Sequence, residues 1–149
     1  MRNVAVTAGY MGAAARVEFY AAMDAVNVDL KAFTQEFYKK LCSAELDAVL
    51  ETLQYIRHET DVWLEITTLL IPDENDSPAE IEALTAWVVE NLGPDVPLHF
   101  TAFHPDYRMT DHPNTPPETL IRARPLPPRH ALPHAYPRLT TPHPPGLPQ

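Results

Sequence analysis

Asp29 and Lys31 stand two positions apart in the run Asn27-Val28-Asp29-Leu30-Lys31, a spacing that places both side chains on one face of a β-strand. A carboxylate and an ammonium held that way can take opposite ends of a polar ligand, for example a hydroxyl pair and a carboxylate. A plain ion pair at a strand end would use the same spacing. Glu65 and His99 share that parity in two further runs, so Asp29, Glu65 and His99 form a set able to bind a divalent cation, although no short-range ligand spacing accompanies them. His104, followed by proline, lies just beyond a fourth run, where an imidazole serves as ligand contact or acid/base group, or simply faces water. His130 and His134 have helical spacing in a stretch with no helix to act on. Cys42 is the single cysteine, so neither a disulfide nor a cysteine-only metal site can be built within one copy.

These groups depend on a face pattern that occurs four times, in Asn3–Thr7, Asn27–Lys31, Leu64–Leu69 and Leu98–Phe103. One parity is apolar: Val4 and Val6; Val26, Val28 and Leu30; Leu64 and Ile66; Leu98 and Phe100. The other holds Asn3, Thr7, Asn27, Asp29, Lys31, Glu65, Thr67, His99 and Thr101. Strand side chains alternate between faces, so each run presents one apolar and one chemically equipped face. Helix-length segments separate the runs. The first is expected over Ala13–Met23, with Val17, Tyr20 and Ala21 inward. Thr34 caps a short second helix, flanked by Phe33 and Tyr38, and Ser43 caps a third carrying Leu46, Val49, Leu50, Leu53 and Ile56. Ser77-Pro78-Ala79-Glu80 is a capping box that opens a fourth, which Gly93 closes.

Asp61–Thr67 also repeats as Asp95–Thr101 position for position, two successive β/α units in one phase. Parallel strands wound this way put all helices on one side and curl the sheet toward a barrel. The polar interior parity suits a partial barrel with a ligand in its lumen; a sheet with one solvated face would show the same alternation. The expected fold class is therefore α/β: four parallel β/α units of a partial barrel over residues 1–124, then a proline-rich tail over 125–149. Thr115-Pro116-Pro117-Glu118 starts a last helix that Pro125 stops, and from Pro125 to Gln149 there are nine prolines and no acidic residue, a composition that forms no packed element and offers at most a PxxP ligand at Pro125–Pro128.

The formal net charge of −9 over 149 residues argues against nucleic acid or an acidic membrane surface as partner. No stretch approaches the ~20 apolar residues of a membrane span, and nothing reads as a signal peptide, so a cytoplasmic protein is expected.

The segments Asn27–Phe33, His58–Pro72 and Pro97–Tyr107 resemble the carboxyl-terminal half of the AmmeMemoRadiSam-system radical SAM enzyme, a relative of pyruvate formate-lyase-activating enzymes. The resemblance runs from Asn3 to about Arg124 and implies strands three to six of a partial (β/α)6 barrel. It implies that Asp29 and Lys31 contact S-adenosylmethionine and that His104 lies near its adenosine part. The family also binds a [4Fe–4S] cluster, through a CxxxCxxC loop, and generates a 5′-deoxyadenosyl radical. That loop is absent here, as is the second-strand motif that holds the methionine amino group. Ile71-Pro72-Asp73 replaces Ile-Pro-Gly, at a turn where glycine takes a positive φ freely and aspartate resists it, and Ala8-Gly9-Tyr10 replaces Asn-Gly-Tyr. The expected protein is a part of such an enzyme, inactive alone, completed by an amino-terminal half or associating with itself through exposed sheet edges. The alternatives are a non-catalytic assembly module and a divalent-metal enzyme using Asp29, Glu65 and His99.

Overall fold

In the computed structural model, which describes residues 1–106 and 109–124 and the backbone of Tyr136–Arg138, every alternating run contains a strand and all strands are parallel. The elements are β1 (Val4–Thr7), α1 (Ala13–Tyr20), β2 (Ala25–Asp29), α2 (Gln35–Phe37) continuing as a π-helical turn (Tyr38–Cys42), α3 (Leu46–Glu59), β3 (Trp63–Leu70), α4 (Pro78–Leu92), β4 (Leu98–Ala102), α5 (Pro117–Ala123) and β5 (Tyr136–Arg138). Strand order in the sheet follows chain order. Each crossover returns to the adjacent strand without reversal, which keeps the helices on one side and gives the expected α/β partial barrel. β5 adds a strand beside β4, with His99 opposite Tyr136 and Thr101 opposite Arg138, in a stretch where the composition allows no element. The PxxP motif, His130 and His134 lie outside the described residues.

The core lies between sheet and helices. Val26, Val28, Leu64, Ile66, Leu98 and Phe100 turn inward from the strands to meet Val49, Leu53 and Ile56 of α3, Ile81, Leu84, Val88 and Leu92 of α4, and Leu120 of α5. Each such side chain is worth about 1.5–3 kcal/mol on burial. The apolar parity of β2, β3 and β4 is thus read correctly from the sequence.

That of β1 is reversed. Val4 pairs with Ala25 and Val6 with Asn27, on the open face, while Ala5 and Thr7 share the helix side with Val26 and Val28. Val4 and Val6 are accordingly 69% and 77% exposed. Asn3 fixes this phase: its N–H donates to Asp24 Oδ2 at 2.6 Å and its Nδ2 to the Ala22 carbonyl at 2.9 Å, anchoring its parity toward the α1–β2 turn. Because side-chain period is two, one anchored residue decides the whole strand.

Three helix expectations also change. α1 ends at Tyr20, and its inward side is Arg16, Phe19 and Tyr20 rather than Val17 and Ala21, because Arg16 lies over the Tyr55 ring at 5.3 Å on α3. Ser43 does not cap α3: it takes a left-handed φ of 50° to end the π-helical turn, and Gln35 Oε1 accepts the Leu46 N–H instead, at 2.9 Å. Thr115 does not cap α5, whose N-cap is Pro116. The repeat, in turn, is not aligned in space: Leu98 sits opposite Ile66 rather than Leu64, a two-residue stagger that preserves parity, of the kind that tilts strands in a barrel.

The α4 capping box forms by half. Ser77 Oγ accepts the Glu80 N–H at 3.2 Å, but the Glu80 carboxylate accepts the Phe33 N–H at 2.7 Å and so ties the β2–α2 loop to α4. Burial pushes the Glu80 carboxyl above the usual carboxylate range, against the opposing Phe33 N–H. A carboxyl raised on folding adds stability only below its unfolded pKa and loses it as pH rises through the folded value. Glu80→Gln, which keeps the acceptor, should therefore be more stable than the parent at neutral pH, with the gap closing on acidification. Urea unfolding across pH tests this, and a gap independent of pH contradicts it. Gly9, at φ +67°, has no room for a side chain: a Cβ would lie 2.8 Å from Val28 Cγ1, whereas one on Gly12 meets nothing within 4 Å. Gly9→Ala should cost about 2–3 kcal/mol and Gly12→Ala less than about 0.5 kcal/mol in the same measurement.

Candidate functional site

Strand register arranges the open face in rows. Val4, Ala25 and Trp63 form the row at the amino end; Val6, Asn27 and Glu65 follow, then Asp29, Thr67 and His99, and finally Leu69 and Thr101. The lining thus passes from apolar to ionic toward the carboxyl ends, where parallel β/α proteins hold their ligands.

Asp29 and Lys31 come together there. Lys31 Nζ donates to Asp29 Oδ2 at 3.1 Å, with the side chains 41% and 37% exposed, so both remain open to an incoming ligand. Lys31 lies past the end of β2, and its backbone is held from both sides. Its N–H donates to Tyr38 Oη at 3.1 Å, and its carbonyl accepts from Asn75 Nδ2 at 2.6 Å. Burial pushes the Tyr38 phenol up to about 12, so it stays neutral at physiological pH.

Asn75 is itself buried. Its Nδ2 also donates to the Leu69 carbonyl at 2.9 Å, and its Oδ1 accepts the Ile71 N–H at 2.6 Å. Two buried threonines complete the seam. Thr68 Oγ1 donates to the Leu30 carbonyl at 2.7 Å, while Thr115 Oγ1 donates to the Leu70 carbonyl at 2.6 Å and accepts the Phe103 N–H at 2.7 Å. The carboxyl ends of β2, β3 and β4 are therefore locked together by side chains. Sequence reasoning missed Asn75, since in Asp73-Glu74-Asn75-Asp76 it looks like any polar loop residue, and took Tyr38 only as a helix-flanking aromatic. Asp73 in that loop adopts φ +67° despite its side chain, its N–H donating to Asp76 Oδ1 at 3.0 Å. Lys40 Nζ reaches Glu74 Oε1 at 2.8 Å, and His112 Nδ1 donates to the Pro72 carbonyl at 3.1 Å, so flanking loops brace it from two sides.

Glu65 and His99 also meet, with His99 Nε2 3.1 Å from Glu65 Oε2, and Trp63 Nε1 donating to Glu65 Oε1 at 3.1 Å. Asp29 does not join them. It lies in the same row as His99 but across Thr67, and its partner is Lys31. Among the described residues no three His, Cys, Asp or Glu side chains converge to hold a metal ion, so the cation set expected from parity is not assembled. His104 projects into solvent beyond β4, 3.3 Å from Asp106 and 70% exposed. Cys42 ends the π-helical turn, where burial raises its thiol pKa against the opposing charge of Lys31. No helix among the described residues is long and apolar enough to cross a membrane.

No protein-family model matches the sequence. The chain is 41% identical over 138 residues to an uncharacterized protein of Methanocaldococcus jannaschii; that alignment takes in 91% of this chain and 40% of the relative, so the chain spans less than half of the relative's length. The fold is similar to that of a domain of pyruvate-formate lyase-activating enzyme from Bacteroides vulgatus, with a TM-score of 0.73 at 13% identity, covering 91% of this chain and 80% of that one. At this identity the likeness is one of fold, and it places the partial barrel beside that of an activating-enzyme domain.

The Asn75 side chain serves three backbone groups at once. Asn75→Ala leaves the Ile71 N–H and the Lys31 and Leu69 carbonyls without their partner. A loss of about 3 kcal/mol in urea unfolding is expected, and a loss below about 1 kcal/mol contradicts this role for Asn75.

Proposed function

We propose that the chain is a carboxyl-terminal part of a radical SAM enzyme of the AmmeMemoRadiSam type, and that its own task is to bind S-adenosylmethionine. One observation carries the reading. Asp29 and Lys31 form a half-exposed pair on the open face at the carboxyl end of β2, with the Lys31 backbone clamped by Tyr38 and Asn75. S-adenosylmethionine offers hydroxyls to a carboxylate and a carboxylate to an ammonium, so the pair matches it in charge and hydrogen-bonding sense. The two side chains would exchange their mutual bond for bonds to the ligand, which requires no backbone movement. His104, in the loop after β4, supplies an exposed imidazole for the adenosine part. The archaeal relative is more than twice as long as the match, in keeping with a chain that corresponds to one part of a larger enzyme.

The residues present do not fit a [4Fe–4S] cluster. Seating one takes three thiolates, and the sequence has one cysteine, Cys42, held as a thiol by burial. The chain's contribution is to bind and orient, and reductive cleavage is not assigned to it alone.

Calorimetry with S-adenosylmethionine, followed by anaerobic iron and sulfide reconstitution with an iron and 5′-deoxyadenosine assay, tests both parts. Binding should weaken about tenfold in Asp29→Asn and in Lys31→Met, roughly 1.4 kcal/mol each. Variants that bind like the parent overturn the binding site. Stoichiometric iron together with 5′-deoxyadenosine production by the chain alone overturns the division of labour.

A further inference from the structure

We infer that Tyr38 is a positioning residue that makes the site selective for carboxylate-bearing nucleosides: its hydroxyl sets the Lys31 backbone so that the ammonium meets a ligand carboxylate. This rests on the proposed function and adds to it a residue that need not touch the ligand. Tyr38 is 2% exposed, and its hydroxyl makes one hydrogen bond among the described residues, accepting the Lys31 N–H at 3.1 Å. Packing does not call for that oxygen. A phenylalanine ring would fill the same space near Phe37, whose ring centroid lies 6.3 Å away, whereas a phenol taken out of water is costly until its oxygen finds a partner. The partner it finds is the residue that carries the cation of the rim pair. Asn75, on the carbonyl side, differs, since it also serves Ile71 and Leu69 and so holds the strand ends whatever Lys31 does.

Tyr38 is in turn held from both sides. α2 is three residues long, too short to fix a side-chain direction by itself. Upstream, Thr34 Oγ1 accepts the Phe37 N–H at 3.3 Å and the Thr34 carbonyl accepts the Tyr38 N–H at 3.3 Å. Downstream, the Tyr38 carbonyl accepts the N–H groups of Ser43 and Ala44, so the π-helical turn closes on Tyr38 itself. A hydroxyl delivered by a clamped backbone thus meets an N–H two residues past the end of β2, where the ladder no longer fixes it. Lysine carries its charge on a long flexible stem, and the ammonium is directed only as well as the Cα is held. Without the Tyr38 oxygen the Lys31 N–H would turn toward water, and the reach of Nζ to a ligand carboxylate would no longer be set. Asp29 lies inside β2 and keeps its place, so the hydroxyl-binding half of the site survives. Loss of the Tyr38 oxygen therefore costs affinity only where the ligand has a carboxylate.

The test is calorimetry of the full chain with S-adenosylmethionine and with decarboxylated S-adenosylmethionine. Tyr38→Phe should weaken the first about tenfold and the second less than about twofold, and should add nothing to the loss in Lys31→Met. Amide exchange at Lys31, measured without ligand, should quicken by about tenfold or more in the same variant. Thr34→Ala removes an exposed hydroxyl that caps α2. It should reproduce the selective loss at about threefold, and it decides the matter if Tyr38→Phe does not fold. Equal losses for the two ligands, additivity with Lys31→Met, an unchanged Lys31 amide, or parental binding of S-adenosylmethionine by Tyr38→Phe each overturn the inference. A parent that does not bind S-adenosylmethionine, or that is indifferent to Asp29→Asn and Lys31→Met, overturns the proposed function and this inference with it. The two failures are told apart by whether the parent or only the Tyr38 variant departs from expectation.

Discussion

Where parallel strands end, their last carbonyls and N–H groups leave the ladder while still buried, and each must find a partner or cost about 1–3 kcal/mol. In this protein four side chains meet that demand, one of them the Tyr38 hydroxyl, which accepts the Lys31 N–H. Thr68 reaches from β3 to the last residue before Lys31, Asn75 folds back over the ends of β2 and β3, and Thr115 bridges the ends of β3 and β4. The arrangement of the carboxyl rim follows from this. Lys31 is in position because its carbonyl and N–H are held, and the loop after β3 keeps its left-handed Asp73 because Ile71 on one side and Asp76 on the other are hydrogen bonded.

A rim fixed in this way can carry mobile ionic groups without being deformed by them. Lys31 and Asp29 satisfy each other in the free protein and remain accessible, so ligand binding becomes an exchange of hydrogen bonds at modest reorganisation cost. Glu65 and His99 form a second pair on the same face, braced by the Trp63 indole. The two pairs are kept apart by Thr67 in the shared row, so each acidic group bonds its own partner and no three acidic or imidazole groups gather around a cation among the described residues.

Much of this was legible in the chain. The alternation over Asn27–Lys31, Leu64–Leu69 and Leu98–Phe103 sufficed for strands, for their inward residues and for placing Asp29 and Lys31 on one face, because inward Val, Ile, Leu and Phe contrast sharply with charged and polar neighbours. The same logic failed at β1, where valine alternates with alanine and threonine and the contrast is weak. A contact from Asn3 to the α1–β2 turn then decides the phase. It failed again at Ser43 and Thr115, whose hydroxyls suit a helix cap. Ser43 instead ends a π-helical turn, and Thr115 is drawn to the ends of β3 and β4 by a larger unsatisfied demand.

The amino-acid sequence by itself determined the parallel β/α plan, the helix-covered core of the three inner strands and the residue types available on the open face. These follow from side-chain periodicity and local capping, which act over a few residues. Tertiary structure alone decided which polar groups meet: that Asn75 and Tyr38 clamp Lys31, that Glu65 takes His99 and leaves Asp29 out, and that Val4 and Val6 face the open side. Those outcomes rest on strand register and on unsatisfied backbone groups at strand ends, quantities that exist only once segments distant in the chain lie side by side.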